Sequence, residues 1–298
     1  MPPSGATTLA TPEELHRRLT AFNRWRLSPE ADAADWENRL ATEYRYRLIE
    51  GRFVERERAH VRGSARQAPS DPDAFVAWFE RLKLDGPGQG DPLFPWLAEH
   101  ASLREMIWFL SQEVAGEAGF DDLVALTQIK LPSGPKLELA RNYWDEMGQG
   151  HEGGMHGPML SRLAQALEIR EDGDVVWESL ALGNLMCALA TNRHFAYQSV
   201  GALGVIELTA PGRAELVNKG LKRLGVGGEA RRYFALHATL DVRHSQAWNR
   251  EVLRPLVAEH PELALPIAEG ALMRLHAGLR CFERYRHELG LSAERLAG

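Results

Sequence analysis

Helical periodicity runs almost without relief from Trp96 to the C-terminus, with no convincing strand alternation and no repeat of fixed period; these observations predict an all-α protein. Leu103, Met106, Ile107 and Leu110 form one apolar stripe, and Leu137, Ala140, Tyr143 and Trp144 form another. Both follow the three- and four-residue spacing that places side chains on one face of a helix.

The elements follow in order. Thr11-Pro12-Glu13-Glu14 opens a first helix within residues 1–30, with proline in the first turn. Ala31 to His60 is densely charged and helical in pattern, and carries Trp36, Tyr44, Tyr46 and Phe53. Val61–Asp73 and Asp85–Pro95 are rich in Gly, Pro, Ser and Asp and read as connections. Ser179 to Ala210 is the longest apolar region, with Arg193 and Glu207 its only charges. Its uncharged runs fall short of the roughly 18 residues that suggest a membrane span, so it reads as buried core helices. Pro-Gly after Ala210 and the glycines of Gly225–Gly228 predict breaks, and Pro261–Leu289 closes the chain as an amphipathic helix.

Composition narrows the function. The chain has 298 residues, is 44% hydrophobic and carries a net charge of −6, enough for one large core. No basic block dominates, which argues against nucleic-acid and membrane-surface partners. Cys187 and Cys281 are the only cysteines, so neither a disulfide framework nor a thiolate metal site is suggested. Met1 to Thr11 has no apolar stretch of signal-peptide type, and the expected location is the cytoplasm.

The run His237-Ala-Thr-Leu-Asp241-Val-Arg-His244 carries the strongest chemical signal. Positions i, i+4 and i+7 share a helix face, so two imidazoles and a carboxylate converge as a transition metal requires. Glu207 stands alone in an apolar segment, where a carboxylate needs an ion pair, a proton or a metal. Glu113 follows an apolar stripe, with Glu117 one turn later. Glu146 and His156 are ten residues apart, about 80° from one helical face at 3.6 residues per turn. Gly148, Gly150, Gly153, Gly154 and Gly157 allow a distorted or broken helix there, and His151 and Glu152 compete as candidates.

Over roughly Trp96 to Glu251 the chain resembles the haem-oxygenase-like di-iron oxidases and oxygenases, relatives of the haem oxygenase and TenA fold. The resemblance rests on Glu113, on Asp-Glu146-Met-Gly-Gln-Gly followed by His156, on Glu207, and on His237-x3-Asp241-x2-His244. It implies a haem-oxygenase-like helical bundle over residues 71–298 behind an N-terminal helical extension, residues 1–70. It implies two iron ions held by Glu113, Glu146, His156, Glu207, His237, Asp241 and His244, with O₂ as co-substrate and an external electron donor as a candidate partner. The reactions implied are N-oxygenation, desaturation or oxidative C–C cleavage of a small metabolite. An amino acid or amine-bearing compound is the first choice, and a fatty acid decarboxylated to an alkene the second. Four carboxylates and three imidazoles also suit Fe(II) or Mn(II) on chemical grounds, whereas zinc sites favour four ligands including thiolate.

Asp145, Asn142 and Glu117 are candidates to support the ligands, and Arg193, Tyr197 and Trp144 to line a pocket, although packing roles outweigh the latter. The aromatic residues of the extension could cap the cavity or form a homodimer interface. A ferritin-like bundle needs two Glu-x-x-His motifs; Glu13-Glu-Leu-His16 and Glu57-Arg-Ala-His60 fit the spacing but read as exposed faces in the wrong order. Haem would need His16 as its axial ligand and leave Glu207 and the His237 face unexplained. A metal-free TenA-like hydrolase would leave all seven residues without a role, and pattern alone leaves a non-catalytic helical binding protein as a further alternative.

Overall fold

The computed structural model describes residues 11–29, 35–170 and 173–292. The reading of the first ten residues as free of a signal sequence lies outside them. Helices α1 (Pro12–Leu27), α2 (Trp36–Ala65), α3 (Pro72–Asp85) and α4 (Leu93–Glu99) precede the region of strongest pattern. After them come α5 (Leu103–Gly116), α6 (Phe120–Thr127), α7 (Ser133–Glu146), α8 (His156–Ala166), α9 (Trp177–Thr191) and α10 (Ala196–Arg223). Helix α11 (Arg232–Trp248) passes through a π-helical turn at Asn249–Leu253 into α12 (Arg254–Glu259), and α13 (Ala264–Glu288) completes the bundle. The described residues form no strand, as the all-α prediction requires.

The helix starts follow from local chemistry. Thr11 accepts a hydrogen bond from the Glu14 amide at 3.2 Å, with Pro12 in the first turn. At α5 the Ser102 and Glu105 side chains each bond the other's backbone amide, a reciprocal cap.

Two expected breaks are placed differently. Helix α2 runs on to Ala65, into the stretch read as a connection. Helix α10 continues through Pro211 instead of stopping at it. Proline there removes one N–H donor, the one that would bond the Glu207 carbonyl, and burial on both sides of it outweighs that loss. Glu207 is therefore mid-helix. The second break holds: Gly225 has φ +80 in the turn between α10 and α11.

Helices α1 and α2 share the main core: Leu19, Phe22, Phe53 and Val54 pack in one cluster with Leu185, Leu189, Val200 and Ile267. Arg26 of α1 forms a buried ion pair with Glu50 of α2 at 2.6 Å, and the Asn192 amide beyond α9 donates to the same carboxylate at 2.9 Å. His16 is buried, not exposed as expected: its ring lies against Phe53 and Trp177, and burial pushes it down to about 4. His60 does lie on an exposed face. Of the extension's aromatics, Tyr46 and Phe53 are buried in the core and Trp36 and Tyr44 face outward; none of them caps the cavity described below.

Helix α10 is the spine. A Cβ at Gly201 would lie 1.9 Å from the Ile267 carbonyl oxygen, and one at Gly270 would lie 1.8 Å from that of Gln198. The α10 and α13 backbones thus touch at a point where no side chain fits. We expect Gly201→Ala to lower stability by about 1–3 kcal/mol or more, as overpacking does, read as a fall in the thermal unfolding midpoint. An unchanged midpoint would refute this contact.

Candidate metal centre

The Glu146–His156 pair is assembled by a loop rather than by a helix face. Helix α7 ends at Glu146, and Met147 forms a lone antiparallel bridge with Met155. The chain between them turns back through Gly148, Gln149 and Gly150 at φ +61, +53 and +84. A Cβ at Gly148 would lie 2.4 Å from the Gly154 carbonyl carbon, so the crossing needs glycine for both its angle and its space. The residues flanking the bridge become neighbours: Glu146 Oε2 lies 2.7 Å from His156 Nδ1. His151 and Glu152 sit exposed in the loop, whereas His156 is buried beside Glu146.

Helix α7 also corrects the reading of its own stripe. Leu137 and Trp144 are 59% and 54% exposed, while Glu138, Leu139, Asn142 and Glu146 form the buried face. The polar side is turned inward because the groups it must meet are there. The Asn142 amide donates to Glu207 Oε1 at 2.6 Å.

Helix α11 divides its three candidates: His237 lies against His156, His244 beside Glu207, and Asp241 lines the cavity described below. His237 Nδ1 is 2.8 Å from the Tyr233 carbonyl, so Nδ1–H donates and Nε2 is left free. His244 Nε2 is 3.1 Å from Asp145 Oδ2 and donates there, which turns Nδ1 toward Glu207 Oε2 at 3.4 Å. Gly204 of α10 lies under the Trp248 indole of α11, where a Cβ would be 2.5 Å from Nε1. That close approach is about one turn from both Glu207 and His244 and fixes their separation.

These side chains form two groups. Glu146, His156 and His237 each place one ligand atom within 4.8 Å of the others, and so do Glu146, Glu207 and His244. Glu146 belongs to both. Asp241 and Glu113 line the same cavity but lie outside the two groups. Glu117, the other carboxylate of α5's end, accepts from the Gly119 and Phe120 amides at 3.0 Å each and so caps α6.

The electrostatics are those of a centre short of positive charge. Burial, and then Glu207, raises Glu146 well above the ordinary carboxylate range. Burial, with Glu207 and Glu146, raises Asp241 likewise. Burial lowers His156 and His237 to about 4, which leaves both imidazoles neutral, the form that binds a metal. Burial opposes charge on His244 too, but Glu207 and Asp145 outweigh it and hold His244 up to about 9. Its proton then stands where a cation would.

Several buried atoms have no hydrogen-bond partner: His156 Nδ1, His244 Nδ1 and Asp241 Oδ1. His156 Nδ1 is close to Glu146, and His244 Nδ1 to Glu207, yet neither ring nitrogen is aligned on its carboxylate for a hydrogen bond. Buried donor atoms left without partners beside these carboxylates fit a metal ion, which on His244 would replace the proton.

The cavity beside these groups holds about 210 Å³ and is lined further by Phe94, Phe109, Leu160, Phe234 and Phe282. Trp144, Tyr197 and Arg193 are absent from it, so none is a pocket residue. Arg193 instead donates to the backbone carbonyls of Leu126, Thr127 and Ile129. His16 is not part of its lining either. The residues that sequence reasoning missed are Tyr233, Arg213, Arg274 and Tyr285. Cys281 also lines the cavity, but burial pushes its thiol up to about 12, unlike a zinc-binding thiolate.

Residues 107–279, more than half of the chain, match the family model described as iron-containing redox enzymes. The chain belongs to that family. No curated protein matches it. Membership of the iron-containing redox family makes the chain an oxidoreductase, and the matched span contains both groups and the whole Glu146–His156 loop. Among the described residues no helix is long and apolar enough to cross a membrane.

Replacing Gly148 with Ala should force the loop open and part Glu146 from His156. Affinity for Fe(II), measured by anaerobic calorimetry, should fall at least about 10-fold, the low end for disturbed support of a metal ligand, with helical content by circular dichroism unchanged. Affinity equal to that of the parent chain would refute the loop's role.

Proposed function

We propose that this chain is an O₂-dependent non-haem di-iron oxidase or oxygenase of a small metabolite, most simply an amino acid or other amine-bearing compound. The observation that carries the reading is that two ligand groups adjoin and share Glu146, so that the residues present could hold two ions side by side. In this reading Glu146, His156 and His237 hold one iron and Glu146, Glu207 and His244 the other, while Asp241 and Glu113 complete the set from the cavity wall.

The donor set is acidic, as a site for divalent cations is. Glu113, Glu146, Glu207 and Asp241 bring four negative charges when ionised, which two divalent ions balance. Reduced iron with open coordination positions supplies the electrons that O₂ needs to react with closed-shell organic molecules.

The protein's own part is positional. The Tyr233 carbonyl and the Asp145 carboxylate hold the His237 and His244 protons on the nitrogens facing away from the metals. Asn142 occupies one oxygen of Glu207 and leaves the other for the centre. The phenylalanines of the cavity give it an apolar wall.

Anaerobic Fe(II) titration should approach two equivalents per chain, and an end point at zero removes the reading. His244→Ala and Asp241→Ala should each abolish O₂ uptake in the presence of substrate while leaving helical content intact. Full O₂ uptake in either variant sinks the site assignment. Substrate class is found by exposing the Fe(II)-loaded protein to O₂ with pooled amino acids or with pooled fatty acids and following which pool accelerates O₂ consumption.

A further inference from the structure

Two arginines in the cavity wall have no role in holding the centre. Arg213 of α10 and Arg274 of α13 both line the cavity, with Glu113 beside them. Arg213 makes one hydrogen bond, to Thr209 Oγ1 at 2.8 Å, and its guanidinium carbon lies 5.8 Å from the Phe94 ring centre and 5.4 Å from that of Phe282. Arg274 has no hydrogen bond or ion pair among the described residues, and its Nε is buried without an acceptor. No carboxylate oxygen of the described residues comes within 4.0 Å of either guanidinium.

Such a pair is costly to bury. Desolvation opposes the charge on each arginine, and Arg213 is also opposed by Arg274. Glu113 is a carboxylate whose field both feel, but it forms no ion pair with them. Two half-buried guanidiniums that face a cavity without an ion-pair partner can take an anion from it.

Resting on the redox reading above, we propose that Arg213 and Arg274 dock the carboxylate of the substrate, so that this enzyme acts on small monocarboxylates. The guanidinium fork matches a carboxylate bidentately. Phe94 and Phe282 beside it offer an apolar wall for the carbon chain. Arg213 is six residues beyond Glu207 on one helix, about 9 Å along its axis, which separates the docked end from Glu207. A volume of about 210 Å³ exceeds the ~150 Å³ that admits benzene, so a short carboxylic acid or amino acid fits. Glu117 and Asp121 add further acidic groups to the same lining and disfavour a second negative charge on the guest, which selects a monocarboxylate over a phosphate.

The test uses hexanoate, hexanamide and inorganic phosphate as calorimetric probes of the intact chain, with and without Fe(II), under anaerobic conditions. The parent chain should bind hexanoate in preference to both others. Arg274→Met and Arg213→Met should each weaken hexanoate about 10- to 100-fold, the range of a lost charged hydrogen bond, while hexanamide affinity stays level. Arg274→Lys, which keeps charge and volume, should fall between parent and Arg274→Met. The proposal is overturned by equal weakening of both organic probes, by unchanged hexanoate affinity in both methionine variants, by phosphate binding the tighter, or by no hexanoate binding to the parent chain. Iron stoichiometry measured on the same samples reports on the centre independently. Discrimination between hexanoate and hexanamide in a chain that takes up no iron would support the docking pair and remove only the redox reading.

Discussion

The mutual repulsion of carboxylates buried in one space is the constraint around which the rest of this molecule is arranged. Glu146, Glu207 and Asp241 reach that space from three different helices, and each helix bends an ordinary rule to bring them there. Helix α7 turns its polar face inward and leaves Leu137 and Trp144 in water. Helix α10 carries a carboxylate in its most apolar stretch and continues through a proline one turn later. Helix α11 places two imidazoles and an acid on one stripe. Local choices that conflict with stability in this way concentrate where function demands them. The neutral His156 and His237, the proton kept on His244 and the raised carboxyls are the electrostatic expression of one deficit.

What holds the carboxylates at fixed separations is close backbone approach on either side of them. Gly201 and Gly270 let α10 touch α13, and Gly204 lets it touch the Trp248 indole of α11. Helix α10 is thereby pinned to both partners within two turns of Glu207. The same helix then carries Arg213 along the cavity, so metal-facing and substrate-facing groups are spaced by the rise of one rigid element instead of by a loop. Positions fixed in this way are held more tightly than loops allow.

The sequence disclosed these features unevenly, for identifiable reasons. His237, Asp241 and His244 were legible because helical period alone puts them on one face. Glu207 was legible because a lone charge in an apolar run has few explanations. Glu146 and His156 were legible only through family resemblance, because a backbone bridge brings them together and no periodicity describes a bridge. Arg213 and Arg274 carried no signal: each reads as a surface arginine, and only the packing of α10 against α13 turns both into the cavity. Pro211 and the Leu137 stripe misled for the same reason. Tertiary burial overrode a local preference that is sound in isolation. The helical class itself survived these errors because it rests on many periods at once.

The Met147–Met155 bridge separates the spacing of two side chains in space from their spacing along the chain. Glu146 and His156 are set by the closure, and the exposed stretch around His151 and Glu152 is free to lengthen at little entropic cost. A chain that kept the bridge and gained several residues at this tip would preserve the centre while losing the nine-residue gap. Searches for relatives written around a fixed gap would pass over it, whereas a pattern anchored on the two bridging positions and the glycine at the crossing would find it.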